Sequence, residues 1–140
     1  MHGASLDVHV QSPSYEGPTV PPFIQHLTHH TPDFARLTKF VDVSAVLSSP
    51  TEIRVAVVNR SETDPFSIYF AFGPNAEVEN IIRVHEVWSE NLDDTNEFGK
   101  GGDKVKAVER EEHWDTMGGY VLKSHSFQSE SLVRCYNDGI

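Results

Sequence analysis

The chain has 140 residues, 21 of them acidic and 11 basic, for a formal net charge of -10 at pH 7. That charge repels phosphate backbones and anionic lipid, which argues against nucleic acid or a membrane surface as a partner. The longest apolar run, Ile68 to Phe72, falls far short of the ~20 residues that span a bilayer, and no basic-then-apolar signal peptide follows Met1. A chain this long fits one domain, residues 1–140, able to bury roughly two thirds of the surface its unfolded form exposes. With Cys135 as its single cysteine it forms no internal disulfide; an inert structural thiol in the strand-like run Leu132 to Tyr136 is expected.

Apolar residues recur at period two rather than at helical spacing, so the elements read as antiparallel strands. Ala4, Leu6, Val8 and Val10 alternate with Ser5, Asp7 and His9 from the outset, and the chain reads as the continuation of a longer protein. Gln11 to Lys39 holds five prolines, each without a ladder donor, and reads as a long surface connection. Val41, Val43, Ala45 and Leu47 form a strand, Ser48 to Pro50 a turn, and Ile53, Val55 and Val57 the returning arm of a hairpin. Ala56 and Val58 fill the alternate positions of that arm, which predicts a central strand covered on both faces.

Asn59 to Pro65 reads as a turn, followed by Phe66, Ile68, Phe70 and Phe72 at strict alternation. Further along come Ile82, Val84 and Trp88 on one parity, a polar loop from Ser89 to Asp103 and a short run at Val105 to Val108. A turn at Gly118 and Gly119 precedes strands over Tyr120 to Phe127 and Leu132 to Tyr136. The sum is an all-β chain of about eight antiparallel strands, a β-sandwich of jelly-roll-like form, with no strand order legible.

Four segments carry a resemblance. They are MHGASLDVHVQSPSYEGPTVPP at 1–22; FVDVSAVL at 40–47 with VAVVNR at 55–60; VHEVWSENLDDTNEFG at 84–99; and GGYVLKSHSF at 118–127. In order and spacing they resemble the C-terminal domain of those α-L-arabinofuranosidases that join a catalytic barrel to a β-sandwich, the glycoside hydrolase family 51 type. The resemblance implies that Met1 is an internal methionine of a parent protein. It also implies that the parent removes terminal non-reducing α-L-arabinofuranosyl groups from arabinoxylan, arabinan and related plant cell-wall polysaccharides, outside the cell. Such an enzyme works by retention, with two carboxylates held roughly 5 Å apart by its barrel. A (β/α)8 barrel takes roughly 200 residues or more, so none is encoded here and no catalytic residue is assigned. The catalytic barrel of the parent is the implied partner, and no cofactor is implied.

Other residues invite site readings. Asn96 and Glu97 form an Asn-Glu pair of the kind barrel glycosidases use, but they lie in a polar loop and not at the end of a buried strand. Glu86, Glu90, Asp93, Asp94, Glu111 and Glu112 could supply acidic pairs, as any chain this acidic would. His26, His29 and His30 cluster in Pro-rich surroundings without ligand spacing; the glycine a calcium loop needs is absent after Asp93, so no metal is assigned. Among Trp88, Trp114, Tyr15, Tyr120 and Tyr136, Trp88 reads as buried and Trp114 as an exposed ring. Trp114 and Tyr15 are the candidates for contact with sugar or with a neighbouring domain, joined in the latter role by Leu6, Val8 and the loop up to Phe23. Asn59, Arg60 and Ser61 make an N-glycosylation sequon at a predicted turn. A freestanding carbohydrate-binding module is the alternative to a barrel-packing domain.

Overall fold

The computed structural model describes residues 3–16, 37–73, 77–99, 102–114 and 119–135. These hold ten strands: β1 (Ala4–Ser5), β2 (Ser14–Glu16), β3 (Leu37–Lys39), β4 (Val41–Ser49), β5 (Glu52–Asn59), β6 (Phe66–Ile68), β7 (Glu77–Trp88), β8 (Lys106–His113), β9 (Tyr120–Leu122) and β10 (Phe127–Cys135). Six of them form one antiparallel sheet in the order β1-β4-β5-β10-β7-β8, while β2-β3 and β6-β9 are separate two-stranded pieces. The all-β expectation holds, with the second layer of the sandwich in fragments.

Branched side chains on alternate positions make β4 and β5 a hairpin, in which Val43 faces Val57, Ala45 faces Val55 and Leu47 faces Ile53. The tight connection is closed by Ser48 Oγ donating to the Glu52 carbonyl at 3.2 Å. β5 then pairs with β10, and β10 with β7, so the sheet's centre joins segments far apart in sequence. β5 lies inside the sheet as expected, but it is covered on one face and not on both: Ala56 and Val58, opposite its core residues, are only half-buried because no second layer packs on them among the described residues.

Val57, Ile82, Val84 and Leu132 point inward from the large sheet and are sealed from solvent, as is Leu122 from β9. Each side chain of this kind stabilises the fold by about 1.5–3 kcal/mol. The second layer is built largely of aromatics. Tyr15 lies 4.6 Å from Phe40, which lies 5.6 Å from Phe66. Phe70 and Phe72 each meet Trp114 edge-on at 5.9 Å. The Phe66 to Phe72 alternation persists past the end of β6, because burial and not ladder pairing sustains it.

Several expectations are corrected. The first strand shrinks to Ala4–Ser5, paired to Leu47 and Val46; Leu6 follows with one bond from its N–H to the Ala45 carbonyl, and the Leu6, Val8 and Val10 alternation continues as half-buried coil. The supposed connection from Gln11 to Lys39 contains β2 and β3, which pair Tyr15 with Thr38. β8 extends through the charged run to His113, since an edge strand with a solvent-facing side tolerates Glu and Arg. The Tyr120 to Phe127 strand breaks into β9, a turn with His125 at φ 39°, and the start of β10. β10 itself begins five residues before Leu132, because Gln128 and Glu130 occupy inward positions that polarity had disguised. Cys135 ends β10 as a backbone participant, while Tyr136, Gly118 and the histidines at 26, 29 and 30 lie outside the described residues.

Candidate functional site

The sheet's inner face changes character across its width. On the row where Val43 meets Val57, the next strands contribute Gln128, Glu86 and Val108; on the adjacent row Ala45 and Val55 are followed by Glu130, Val84 and Arg110. Strand alternation therefore places Glu86, Gln128, Glu130 and Arg110 together beneath Tyr120 of β9. Glu86 is 3 % exposed, and Gln128 and Glu130 are sealed.

Four of these groups close a ring. Gln128 Nε2 donates to Glu86 Oε2 at 2.6 Å, the Tyr120 hydroxyl donates to Gln128 Oε1, and Arg110 donates to both the Tyr120 oxygen and Glu86 Oε2 at 3.3 Å. Lys123 Nζ donates to the other Glu86 oxygen at 2.7 Å, and Arg110 Nε to Glu112. In a low-dielectric setting such a closed circuit reinforces each of its bonds. It ties β7, β8, β9 and β10 to one another.

The electrostatics of the two buried glutamates diverge. Burial pushes the Glu86 carboxyl up, but the Lys123 bond and the charges of Arg110 and Lys123 outweigh it and leave the group below its ordinary range. Burial pushes Glu130 up to about 8, with the Glu112 charge adding and Arg110 opposing, and neither of its oxygens has a hydrogen-bond partner. Burial also raises the Tyr120 phenol, so it stays a donor. At neutral pH Glu86 is an ion and Glu130 an acid.

An open cleft of about 480 Å³ lies beside the ring, lined by Glu86, Arg110, Glu112, Tyr120 and Lys123 among others. Glycosidic chemistry requires one carboxylate free to attack or activate water and a second free to give a proton. Here Glu86 is saturated by three donors, and Glu130 is sealed away from solvent. The cluster is built to hold strands together.

The residues singled out in the sequence scatter. Trp114 is 4 % exposed, correcting its expected exposure: it follows β8 directly, and its backbone N–H bonds to the Asn80 carbonyl at 2.7 Å, which turns the ring into the core. Tyr15 is half-buried on Phe40. Trp88 keeps the parity of Ile82 and Val84 but is half-buried, stacked on His125 with Lys123 Nζ 4.4 Å above its ring.

Asn59 is no turn residue. It closes β5 at 1 % exposure, its Nδ2 donates to the carbonyls of Asp64 at 3.0 Å and Lys123 at 2.8 Å, and its Oδ1 accepts from the Ser61 N–H. A glycan on that nitrogen would break the arrangement, so in the folded chain the sequon asparagine ties two loops together.

Asn96 brackets the Val105 backbone with bonds of 2.8 and 2.9 Å, closing its loop, while Glu97 is exposed. Asp94 accepts from Ser89 and lies 3.7 Å from Lys104; the Ser89 bond foremost holds its carboxyl below the ordinary range. Of the acids named, the structure brings Glu86 and Glu112 together through Arg110 and turns Glu111 outward to Arg83. Among the described residues no three His, Cys, Asp or Glu side chains are grouped to hold a metal ion. The sequence reading missed Gln128, Glu130, Arg110 and Lys123; the period-two spacing of Gln128 and Glu130 with Leu132 was the available signal.

No family model matches the chain. A probable α-L-arabinofuranosidase C of Aspergillus terreus is 32 % identical over 127 residues, which are 91 % of this chain and 22 % of that protein. The Aspergillus flavus protein of the same name is 32 % identical over 126 residues, again 22 % of its length. In structure the chain is similar to the α-L-arabinofuranosidase of Thermotoga maritima, solved as an arabinose complex (TM-score 0.67, 16 % identity, 94 % of this chain, 26 % of that one). It is also similar to the GH51 arabinofuranosidase of Xanthomonas axonopodis pv. citri (TM-score 0.59, 14 % identity, 91 % of this chain, 22 % of that one). The chain thus spans about a fifth of the curated relatives it matches. It is a relative of the α-L-arabinofuranosidases that corresponds to one all-β segment of them.

Proposed function

We propose that this chain is a noncatalytic C-terminal β-sandwich of an α-L-arabinofuranosidase, whose task is to pack on and stabilise the catalytic barrel. The parent would be an extracellular enzyme that releases terminal arabinofuranosyl groups from arabinoxylan or arabinan in plant cell walls. The observation that carries this reading is the state of the buried acids: Glu86, though it borders the cleft, is held by Arg110, Lys123 and Gln128, and Glu130 is closed off, so neither is free to act on a substrate. The match to about a fifth of much longer relatives agrees with it.

Assaying the purified chain on an aryl α-L-arabinofuranoside tests the noncatalytic part. No turnover above buffer is expected; turnover lost on Glu86→Gln would overturn it. The alternative, a freestanding carbohydrate-binding module, loses its best platform with Trp114 in the core. Tryptophan fluorescence should stay flat when arabinoxylan is titrated in, and a saturable change would favour the module.

A further inference from the structure

The outer face of the large sheet has a different composition from its inner one. The row at the Trp88 end reads Asp42, Val58, Phe127, Val87 and Ala107 across five strands, and the next reads Ser44, Ala56, Ser129, His85 and Glu109. Phe127 is 44 % and Val87 40 % exposed, large fractions for apolar side chains in a sheet. Ala56, Ser129 and Ser131 keep the middle of the face low, so a second surface could approach closely.

Around the Phe127, Val87 and Val58 rows, charge lies at the two strand edges and along the row through Ser131, where Arg54 pairs with Glu52 at 3.1 Å. On one side Arg60 pairs with Asp42 at 2.8 Å; on the other Arg83 sits 3.7 Å from both Glu109 and Glu111. An apolar centre inside an ion-paired rim is the anatomy of a protein interface. The residues expected from sequence to face a neighbour do not compete for this role. Leu6, Val8 and Trp114 are spent on the core of this chain, Tyr15 is stacked on Phe40, and residues 17–23 lie outside the described set.

We infer that this outer face, centred on Phe127, Val87 and Val58, is where the sandwich seats against the catalytic portion of a full-length arabinofuranosidase; the inference rests on the function proposed above. The relatives supply the occupant, since about four fifths of their length lies beyond the part matched here. A tethered neighbour meets the patch at an effective concentration on the order of millimolar, so a modest apolar face suffices where a free partner would need a larger one.

The test places this chain in the Aspergillus terreus protein in exchange for the matching 127-residue segment. Thermal unfolding is then followed for that chimaera, for Val87→Lys with Phe127→Lys, and for the exposed-loop control Leu92→Lys. The unsubstituted chimaera and the control should unfold in one transition, and the double variant in two, with the catalytic portion melting several degrees earlier. The isolated chain should keep its own melting temperature under the same double substitution.

One transition in all three chimaeras would overturn the docking face while leaving the packing function intact. Two transitions in the unsubstituted chimaera would overturn the packing function and this inference with it. A dimer of the isolated chain, dissociated by the two lysines in sedimentation, would assign the face to a second copy and overturn the inference. Should the chimaera not fold, the same lysines at the aligned positions of the intact Aspergillus terreus protein give the same reading.

Discussion

Two ends of one sheet face bury their side chains on opposite terms. Toward β4 and β5 the inner face is aliphatic, with Val41, Ala45, Ile53, Val55 and Val57 meeting Phe66 and Ile68. Toward β7, β8 and β10 it carries the Glu86, Gln128, Tyr120 and Arg110 ring and the lone acid Glu130. Aliphatic burial is non-directional and tolerates small shifts. A largely buried ring of polar and charged groups does not, because one missing partner leaves a desolvated group without compensation. The polar end therefore specifies how four strands align, and the aliphatic end supplies most of the driving force.

That contrast can be broken at either end. The largest loss should come where the two meet, at Leu132, sealed between Ile53 and Ile82: Leu132→Ala should cost about 2–5 kcal/mol by urea unfolding, through lost transfer energy and the cavity left behind. A cost under 1 kcal/mol would show that the site collapses freely and is no close-packed core. Glu86→Ala should follow at about 3 kcal/mol, since it strands Gln128 inside and removes the anion that Arg110 and Lys123 share. A neutral result would mean that the ring is ornamental to stability.

Glu130 should respond in the opposite sense. Replacing it with methionine removes a buried group with no partner and should stabilise the chain by about 1–3 kcal/mol. Its proton linkage has a defined sign. The folded carboxyl titrates at about 8 and the unfolded one near 4.5, so the native state holds the extra proton between those values. Stability from this group is complete below pH 4.5 and is lost as pH rises toward 8, by at most about 1.4 kcal/mol per unit.

Glu86 works the other way, its lowered carboxyl contributing above pH 4.5 and failing as pH falls through its folded value. Unfolding free energies at pH 5.5 and 8 should differ in the intact chain and converge in Glu130→Met. An equal slope in both would exclude Glu130 as its source. The smallest effect is expected at the loop tie: Asn59→Ala should cost about 1–2 kcal/mol, and loosen the Ser61 to Asp64 turn in amide exchange before anything else.

The Val41 to Leu47 and Ile53 to Val57 arms, their turn, and the Phe66 to Phe72 alternation were legible because each obeys a local rule: a period of two, closed by a breaker. β8 and β10 were legible only in part, at Val105 to Val108 and from Leu132 onward. Glu109 to His113 resembles a solvated charge run, and it is a strand because β7 offers it an edge. Gln128, Ser129 and Glu130 resemble a loop, and they pair on both sides. The tryptophan after His113 misled for the same reason, since its burial comes from Phe70 and Phe72, dozens of residues away.

By itself, then, the sequence determined the class of fold, the hairpin at its centre and the likeness to one part of the arabinofuranosidases. Alternation and composition are properties of neighbours along the chain. Only the tertiary structure decided which acids are ions, which tryptophan is core, and which sheet face stays bare. Those depend on the dielectric, partners and packing that distant strands bring to a residue, and no local pattern encodes them.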